Sequence, residues 1–270
     1  MLQLRELQKT FFAGTPNEVR ALRGVSLTID EGSFVTVIGT NGSGKSTLLN
    51  AVAGTFYVDR GAISIAGRDV TRWPEHRRAS MIGRVFQNPF SGTAPTMTVA
   101  ENLALAARRG QPRGLGRLLS ARMQNELRDR VATLNMQLET RMHNPIGTLS
   151  GGQRQALTLL MATWLRPDLL LLDEHTAALD PKSADQIVRL TEEIVSQQKL
   201  TTLMVTHSML QAATLGDRIV MMNQGSVHAD IAGTQRRHIR ADDLTRRFDE
   251  IRRDERLDAS AAELLRETYV

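Results

Sequence analysis

A glycine-rich run between residues 39 and 47 constrains the fold of this chain more than any other feature. The run, Gly39-Thr40-Asn41-Gly42-Ser43-Gly44-Lys45-Ser46-Thr47, fits a glycine, four residues, then Gly-Lys-Ser. The apolar residues 33–38 before it predict a buried strand, and residues 48–52 after it predict a helix with an apolar face. Glycines let backbone N–H groups surround phosphates, and the start of the helix adds to the attraction. The run therefore predicts a nucleotide site, with Lys45 as a charge for the phosphates and Ser46 as an oxygen ligand for Mg²⁺.

Composition limits the class of protein around this site. A chain of 270 residues that is 41% hydrophobic is long and apolar enough for one large α/β domain. No stretch approaches the roughly 18 apolar residues of a membrane span, and the N-terminus lacks a signal-peptide core. With no cysteine, disulfides and cysteine-ligated zinc are excluded, so we expect a cytosolic protein. The basic residues behind the net charge of +5 are spread along the chain, so nucleic acid is not the expected partner.

The first half of the chain predicts a small antiparallel sheet followed by helices. Residues 2–7 and 25–29 alternate apolar and polar side chains, as half-buried antiparallel strands do, and residues 62–66 predict a further edge strand. Residues 80–87 predict a strand that ends at Gln87, where a polar side chain can reach a ligand. Residues 99–138 have helical spacing of apolar residues, interrupted near 110–116.

The second half places polar residues where helices and strands meet. Ser150-Gly151-Gly152-Gln153 opens a helix, and its two glycines expose N–H groups that can form a second anion contact. The apolar run 169–172 predicts a buried parallel strand that delivers Asp173 and Glu174, which suggests a metal partner and a catalytic base. Residues 202–206 predict another strand, and it ends at His207.

This ordered set of motifs resembles the ATP-binding subunit of an ABC transporter, over roughly residues 2–233. Residues 39–47 resemble the Walker A motif, 149–153 the signature motif and 169–174 the Walker B motif. By the same resemblance, Gln87 is the Q-loop glutamine, Asp180 belongs to the D-loop and His207 is the switch histidine.

The resemblance implies an α/β fold of the P-loop NTPase class. Its expected parts are a RecA-like core, an antiparallel β-subdomain and a helical subdomain at about residues 90–150. Phe11 aligns with the aromatic residue that stacks on adenine in the family, although Phe12 can also serve. We expect residues 1–233 to form the ATPase domain and residues 234–270 a helical extension. In that extension, residues 244–251 carry an apolar stripe and residues 260–263 resemble a capping box.

The resemblance also implies a mechanism, with ATP and Mg²⁺ as ligands. Asp173 holds Mg²⁺ through water, while Ser46 and Gln87 ligate it; Glu174 polarises the attacking water, and His207 contacts the γ-phosphate. In the family, residues such as Ser150 to Gln153 act on ATP held by the partner's Walker A motif. Two subunits are therefore expected, as a homodimer or a related pair.

One position departs from the common family pattern, because His175 stands where proline usually follows the glutamate. A histidine can still make the turn, so we expect local hydrogen bonding there, with an effect on Glu174 as the alternative.

The expected partners are a membrane permease and, indirectly, a solute-binding protein, with the chain peripheral at the cytoplasmic face of the inner membrane. Residues 96–103 and 173–181 resemble importers of amino acids. Two alternatives stay open: an exporter or lipoprotein-release ATPase, and a soluble ABC ATPase acting on ribosomes or DNA.

Overall fold

The computed structural model describes residues 1–111 and 119–253, which form two sheets and the helices around them. The strands are β1 (Leu2–Phe11), β2 (Val19–Ile29), β3 (Phe34–Gly39), β4 (Arg60–Ile65), β5 (Arg68–Asp69), β6 (Ile82–Val85), β7 (Leu169–Asp173), β8 (Thr202–Val205), β9 (Arg218–Asn223) and β10 (Ser226–Ala232). The helices are α1 (Lys45–Ala53), α2 (Glu75–Arg78), α3 (Val99–Ala107), α4 (Ala121–Ala132), α5 (Gly151–Thr163), α6 (Pro181–Gln198), α7 (Met209–Thr214), α8 (Gly233–His238) and α9 (241–253).

The larger sheet has the order β10-β9-β3-β8-β7-β6. Its strands β9, β3, β8, β7 and β6 run parallel, and β10 pairs antiparallel at the edge. The carboxyl ends of β3, β7 and β8 therefore meet along one edge, which is where open α/β sheets bind ligands. The sequence prediction of an α/β P-loop fold is confirmed.

The smaller sheet is antiparallel, with the order β2-β1-β4-β5. Helix α1 packs between it and one face of the larger sheet, in a core that includes Leu4, Leu49 and Val37. Both β1 and β2 are longer than predicted. In β1 the reason is a bulge: Glu6 adopts a φ of 47°, and the register shifts between Leu4 and Leu7, so the apolar alternation is broken.

Helices cover the rest of the larger sheet. Helices α5 and α6 lie on its second face, and α3, α4 and α5 build a separate apolar cluster beside it. The helical stretch predicted over 99–138, with an interruption near 110–116, is two helices among the described residues, α3 and α4, and the second ends at Ala132 rather than near 138. Ser120 caps the start of α4, and Asn135 and Gln137 take left-handed φ values of 52° and 56° shortly after its end.

Helix α9 packs on the strand that leads into the glycine-rich run. Its buried residues Leu244, Phe248 and Ile251 join Ile38 of β3 and Ala212 of α7 in one apolar cluster. The second helix expected near residues 260–263 lies outside the described residues. Within the described ranges, none of the helices combines the length and the apolar composition needed to cross a bilayer.

Candidate functional site

The glycine-rich run forms a tight loop between β3 and α1. Gly44 has a φ of 97° and precedes the first residue of α1, and a Cβ there would lie 2.5 Å from the carbonyl oxygen of Ala21. A Cβ on Gly39 would lie 2.3 Å from the carbonyl oxygen of Met222. The loop lies so close against neighbouring backbone that only glycine fits at Gly39 and Gly44. No side chain caps the start of α1, so its N–H groups are open to an anion.

Two side chains inside this loop point to a phosphate ligand. Lys45 is 5% exposed, and its Nζ donates to the carbonyl oxygens of Gly39 and Thr40, each at 2.9 Å. Burial lowers the pKa of Lys45, and the charges of Glu174 and Asp173 act in the opposite direction. The hydroxyl oxygen of Ser43 is buried and has no hydrogen-bond partner. A buried hydroxyl with no hydrogen-bond partner, close to a buried cation, fits a loop that receives phosphate oxygens.

The acidic pair follows directly from β7. All four leucines of β7 are buried, and Asp173 ends the strand half-buried. Glu174 then has a φ of 45°, a left-handed backbone that is costly for a residue with a side chain. Its N–H donates to the carbonyl oxygen of Val205 at 2.9 Å, which fixes it beside the end of β8.

Strand β8 brings the predicted histidine to the acidic pair. The Nε2 atom of His207 lies 2.6 Å from Oε1 of Glu174. Glu174, His207 and Lys45 therefore surround one region at the carboxyl edge of the sheet. A cavity of about 310 Å³ beside it is lined by Gly39, Thr40, Asn41 and His207, and by residues of α9.

Asp173 has a basic neighbour that the sequence analysis did not identify. The Nη2 atom of Arg84, on β6, lies 3.7 Å from Oδ2 of Asp173 and donates to Oδ1 of Asn50 at 2.6 Å. Burial raises the pKa of Asp173, and the charge of Arg84 opposes that shift. An arginine within the apolar run 81–86 was the available signal, since a charge on a buried strand needs a partner.

The second predicted anion contact lies in a different cavity. Ser150 caps α5 through a capping box, with its hydroxyl 3.3 Å from the N–H of Gln153. Ser150, Gly152 and Gln153 line a cavity of about 300 Å³ together with residues of α6, and none of the phosphate-loop residues lines it. Asp180 caps α6, and hydrogen bonds from Ser183 lower the pKa of Asp180.

Arg154, another residue that sequence reasoning missed, holds the loop before α5. It is 3% exposed and donates to the carbonyl oxygens of Ile146, Gly147 and Leu149. Its guanidinium also lies 3.6 Å from the ring centroid of Phe90. Arg154 therefore links the segment after Gln87 to the segment before Ser150, and backbone hydrogen bonds from Ile146 to Met97 and from Gly147 to Pro95 join them directly.

The remaining predicted residues lie at the surface. Gln87 is exposed just beyond β6. Phe11 is half-buried, with its ring edge-on to Phe56 at 5.3 Å and Lys9 over the ring, whereas Phe12 is 70% exposed with a φ of 54°. Both rings stay available as an aromatic surface near β1.

Comparison with known proteins decides what kind of site this is. The family model described as ABC transporter matches residues 22–177, more than half of the chain. The chain belongs to the ABC transporter family. The "Tyrosine transport ATP-binding protein" of Clostridioides difficile is 39% identical over 251 residues, which cover 92% of this chain and 99% of that protein.

Other members of the ABC transporter family extend the comparison. The "Lipoprotein-releasing system ATP-binding protein LolD" of Ruegeria sp. (strain TM1040) is 34% identical, covering 83% of this chain and 96% of that protein. Among solved structures, the dimeric ATP-binding cassette MJ0796 bound to ADP and Pi is similar with a TM-score of 0.73 and 28% identity. That match covers 86% of this chain and 98% of the other.

These findings confirm the resemblance drawn from the motifs. The chain is the ATP-binding subunit of an ABC transporter, an ATPase whose hydrolysis is coupled to transport. Cassettes of this kind work as dimers with membrane components.

Proposed function

We propose that this subunit forms a head-to-tail homodimer that drives solute import through a separate membrane permease, with amino acids as the substrate class. One observation carries the ATPase site: Lys45, Glu174 and His207 meet at the carboxyl edge of the sheet, beside the glycine loop. The amino-acid assignment rests on the tyrosine-transport relative, whose whole length this chain matches.

ATP phosphates would lie on the loop 39–47. The open N–H groups at the start of α1 and the Nζ atom of Lys45 would bind them, and the aromatic ring of Phe11 would stack on the adenine. Ser150 to Gln153 would bind the ATP held by the second subunit.

A Mg²⁺ ion fits the oxygen-bearing side chains near the phosphate loop. The described residues contain no cluster of three or more His, Cys, Asp or Glu, and Mg²⁺ beside a nucleotide needs only one or two carboxylates with phosphates and water. Ser46, Gln87 and Asp173 would hold it, and the ion would neutralise charge that develops on the phosphates.

Glu174 and His207 would perform the hydrolysis step. The Glu174 carboxylate would polarise the attacking water, and Nε2 of His207 would donate to the γ-phosphate. Their 2.6 Å separation supports this proposal, because it places the two side chains side by side at the carboxyl edge of the sheet. Most of the rate enhancement would come from this positioning and from the charge of Lys45.

The need for a second subunit follows from the two separate cavities. Ser150, Gly152 and Gln153 line a cavity apart from the phosphate loop, so within one chain they do not bind the same phosphate. A head-to-tail partner would bring them to it, with Asp180 at the same contact. Residues 1–233 would form this ATPase domain, and residues 234–270 would be a helical extension of it.

We place the dimer at the cytoplasmic face of the inner membrane, bound to the permease, with a solute-binding protein as an indirect partner and no nucleic acid. The segment 88–98 after Gln87 and helix α3 would contact the permease. Phe90 and Leu105 support this assignment, because both are about half exposed in this region.

The test of the site is Glu174→Gln. This variant should bind ATP with a wild-type affinity, hydrolyse it at least a hundredfold more slowly and run as an ATP-dependent dimer in size-exclusion chromatography with light scattering. Glu193→Gln, at an exposed position on α6, is the matched control and should hydrolyse ATP normally. Wild-type hydrolysis by Glu174→Gln would remove Glu174 from the role of base.

Export in lipoprotein release is the second candidate, because LolD matches over 83% of this chain. Affinity purification of the tagged protein from detergent-solubilised membranes separates the two functions. A permease that comes with a solute-binding protein supports import, whereas a permease of the lipoprotein-releasing type contradicts it.

A further inference from the structure

One glutamine side chain joins the two segments that carry Glu174 and His207. Gln211, in the first turn of α7, lies between Thr176, two residues after Glu174, and Thr206, directly before His207. The Oε1 atom of Gln211 is 2.9 Å from Oγ1 of Thr206, and its Nε2 atom is 2.9 Å from Oγ1 of Thr176. The amide thus spans the two segments with one hydrogen bond at each end.

The donor and acceptor of each bond follow from the groups involved. Oε1 of an amide only accepts, so the Thr206 hydroxyl donates to it, and the Nε2 group of Gln211 donates to Thr176. The Thr206 oxygen also accepts the N–H of Ser208 at 3.1 Å. Thr176 and Thr206 are 8% and 4% exposed, so water does not readily replace the amide.

The bridge is independent of the helix that carries it. The backbone N–H of Gln211 binds the hydroxyl of Ser208 at 3.2 Å, which caps α7 without the amide. The next residue, Ala212, is fully buried in the cluster beneath α9. A change confined to the side chain of Gln211 therefore removes the bridge and leaves the cap and the packing of α7 in place.

The segment 174–176, which the Gln211 bridge holds, is strained at Glu174. Glu174 has a φ of 45°, a backbone that persists only where its surroundings fix it. On one side, the N–H of Glu174 binds the carbonyl oxygen of Val205. On the other, His175 binds Thr191 of α6 at 3.0 Å, and Thr176 binds Gln211. Two of these anchors reach the segment bearing His207: the backbone bond to Val205, and the amide of Gln211, which makes the connection through side chains.

We propose that Gln211 is a positioning residue that fixes the carboxylate of Glu174 and the imidazole of His207 relative to each other. This inference rests on the roles proposed above for those two residues. The side chain of Gln211 bonds to Thr176 and Thr206, and it acts on Glu174 and His207 through them. Its loss leaves nucleotide binding intact and misplaces the groups that act in hydrolysis.

The test compares Gln211→Met with Gln211→Glu. Methionine has a similar length and no hydrogen-bonding amide, so kcat for ATP hydrolysis should fall about tenfold while KM changes less than twofold. Glutamate should restore kcat to within about twofold, because its carboxylate accepts hydrogen bonds from both threonine hydroxyls, which can rotate to donate. Gln197→Met, at an exposed glutamine of α6, is the control for the same replacement elsewhere.

A double-mutant comparison tests the bridge itself. Thr176→Val should lower kcat by a similar factor to Gln211→Met, and the double variant should be no slower than either single one. Rates are expressed per nucleotide-binding site, counted with a fluorescent ATP analogue. A variant that folds poorly then does not appear to have a lower kcat.

The possible outcomes separate the two proposals. Wild-type kcat in Gln211→Met, or equal losses in Gln211→Met and Gln211→Glu, overturns the positioning role while the ATPase site stands. Wild-type hydrolysis by Glu174→Gln, measured in parallel, contradicts both the catalytic role proposed for Glu174 and the positioning role proposed for Gln211. A loss of kcat that glutamate restores and that Thr176→Val reproduces supports the inference.

Discussion

His175 provides the sharpest test of how the segment after Glu174 is held. The side chain is 1% exposed, and its Nε2 atom lies 3.0 Å from Oγ1 of Thr191. The Thr191 hydroxyl donates to the carbonyl oxygen of Ile187 at 2.8 Å, so its oxygen accepts the Nε2–H of a neutral imidazole. Burial lowers the pKa of His175 from 6.5 to about 4.

The pKa shift of His175 makes folding stability depend on pH. The folded pKa is the lower one, so the unfolded chain binds the proton more tightly, and stability present above pH 6.5 is lost as the pH falls. The linkage relation gives a loss of about 2 kcal/mol by pH 5 and about 3 kcal/mol by pH 4. At low pH, either the buried imidazole takes up a proton where water cannot solvate the charge, or the segment around His175 opens to solvent. Both cost free energy.

The assay is urea unfolding of the nucleotide-free protein in EDTA at several pH values between 7.5 and 5. The reference variant is His175→Gln, which keeps an N–H donor near the same position and cannot gain the proton. Between pH 7.5 and 5, the free energy of unfolding of the wild type should fall by about 2 kcal/mol more than that of the variant. His228→Gln, at an exposed position on β10, is the control for losing a histidine. A constant difference between wild type and His175→Gln across this range would refute the reasoning.

Two further predictions concern the loop and the terminal helix. Gly44→Ala should weaken ATP binding more than tenfold in a fluorescence titration, because its Cβ would meet the carbonyl oxygen of Ala21 at 2.5 Å. Gly42→Ala, whose Cβ would have no atom within 4 Å, should have a smaller effect. Equal effects of the two substitutions would contradict the argument. Leu244→Ala should lower the free energy of unfolding by about 3 kcal/mol in urea, because Leu244 is fully buried on the inner face of α9. Thr245→Ala, on the exposed face of α9, should cost under about 1 kcal/mol.

The sequence predicted the fold, and it pointed to candidate site residues that the structure brings together, because the motifs for both are encoded locally. A glycine loop between strand and helix, and acids after a fully apolar strand, need only neighbouring residues to be recognised. The topology then brings the ends of β3, β7 and β8 together, since parallel strands end at the same edge. The roles assigned to Glu174 and His207 stay predictions, although the structure places their side chains 2.6 Å apart.

Contacts between residues far apart in the chain could not be predicted from the sequence. Arg84 lies 89 positions before Asp173 and Gln211 lies 35 positions after Thr176, and no local period relates either pair. Element boundaries failed for a related reason. The bulge at Glu6 breaks the apolar alternation while β1 continues, so the alternation predicted too short a strand. The left-handed residues Asn135 and Gln137 follow the end of α4, although the helical spacing of apolar residues continues past them, so the spacing predicted too long a helix.

The hydrogen bonds around Glu174 explain how its strained backbone is held in place. A left-handed backbone at Glu174 would relax if the segment after it were held only at one end. Here His175 ties that segment to α6, and Thr176 ties it through Gln211 to the segment of His207. Protonation places a charge on buried His175 and so destabilises the first anchor, whereas removal of an amide breaks the second, so the two can be separated. His175→Gln should alter stability with pH, and Gln211→Met should alter kcat at constant pH. If either variant produced the other's effect, the two anchors would be one cooperative unit rather than two supports.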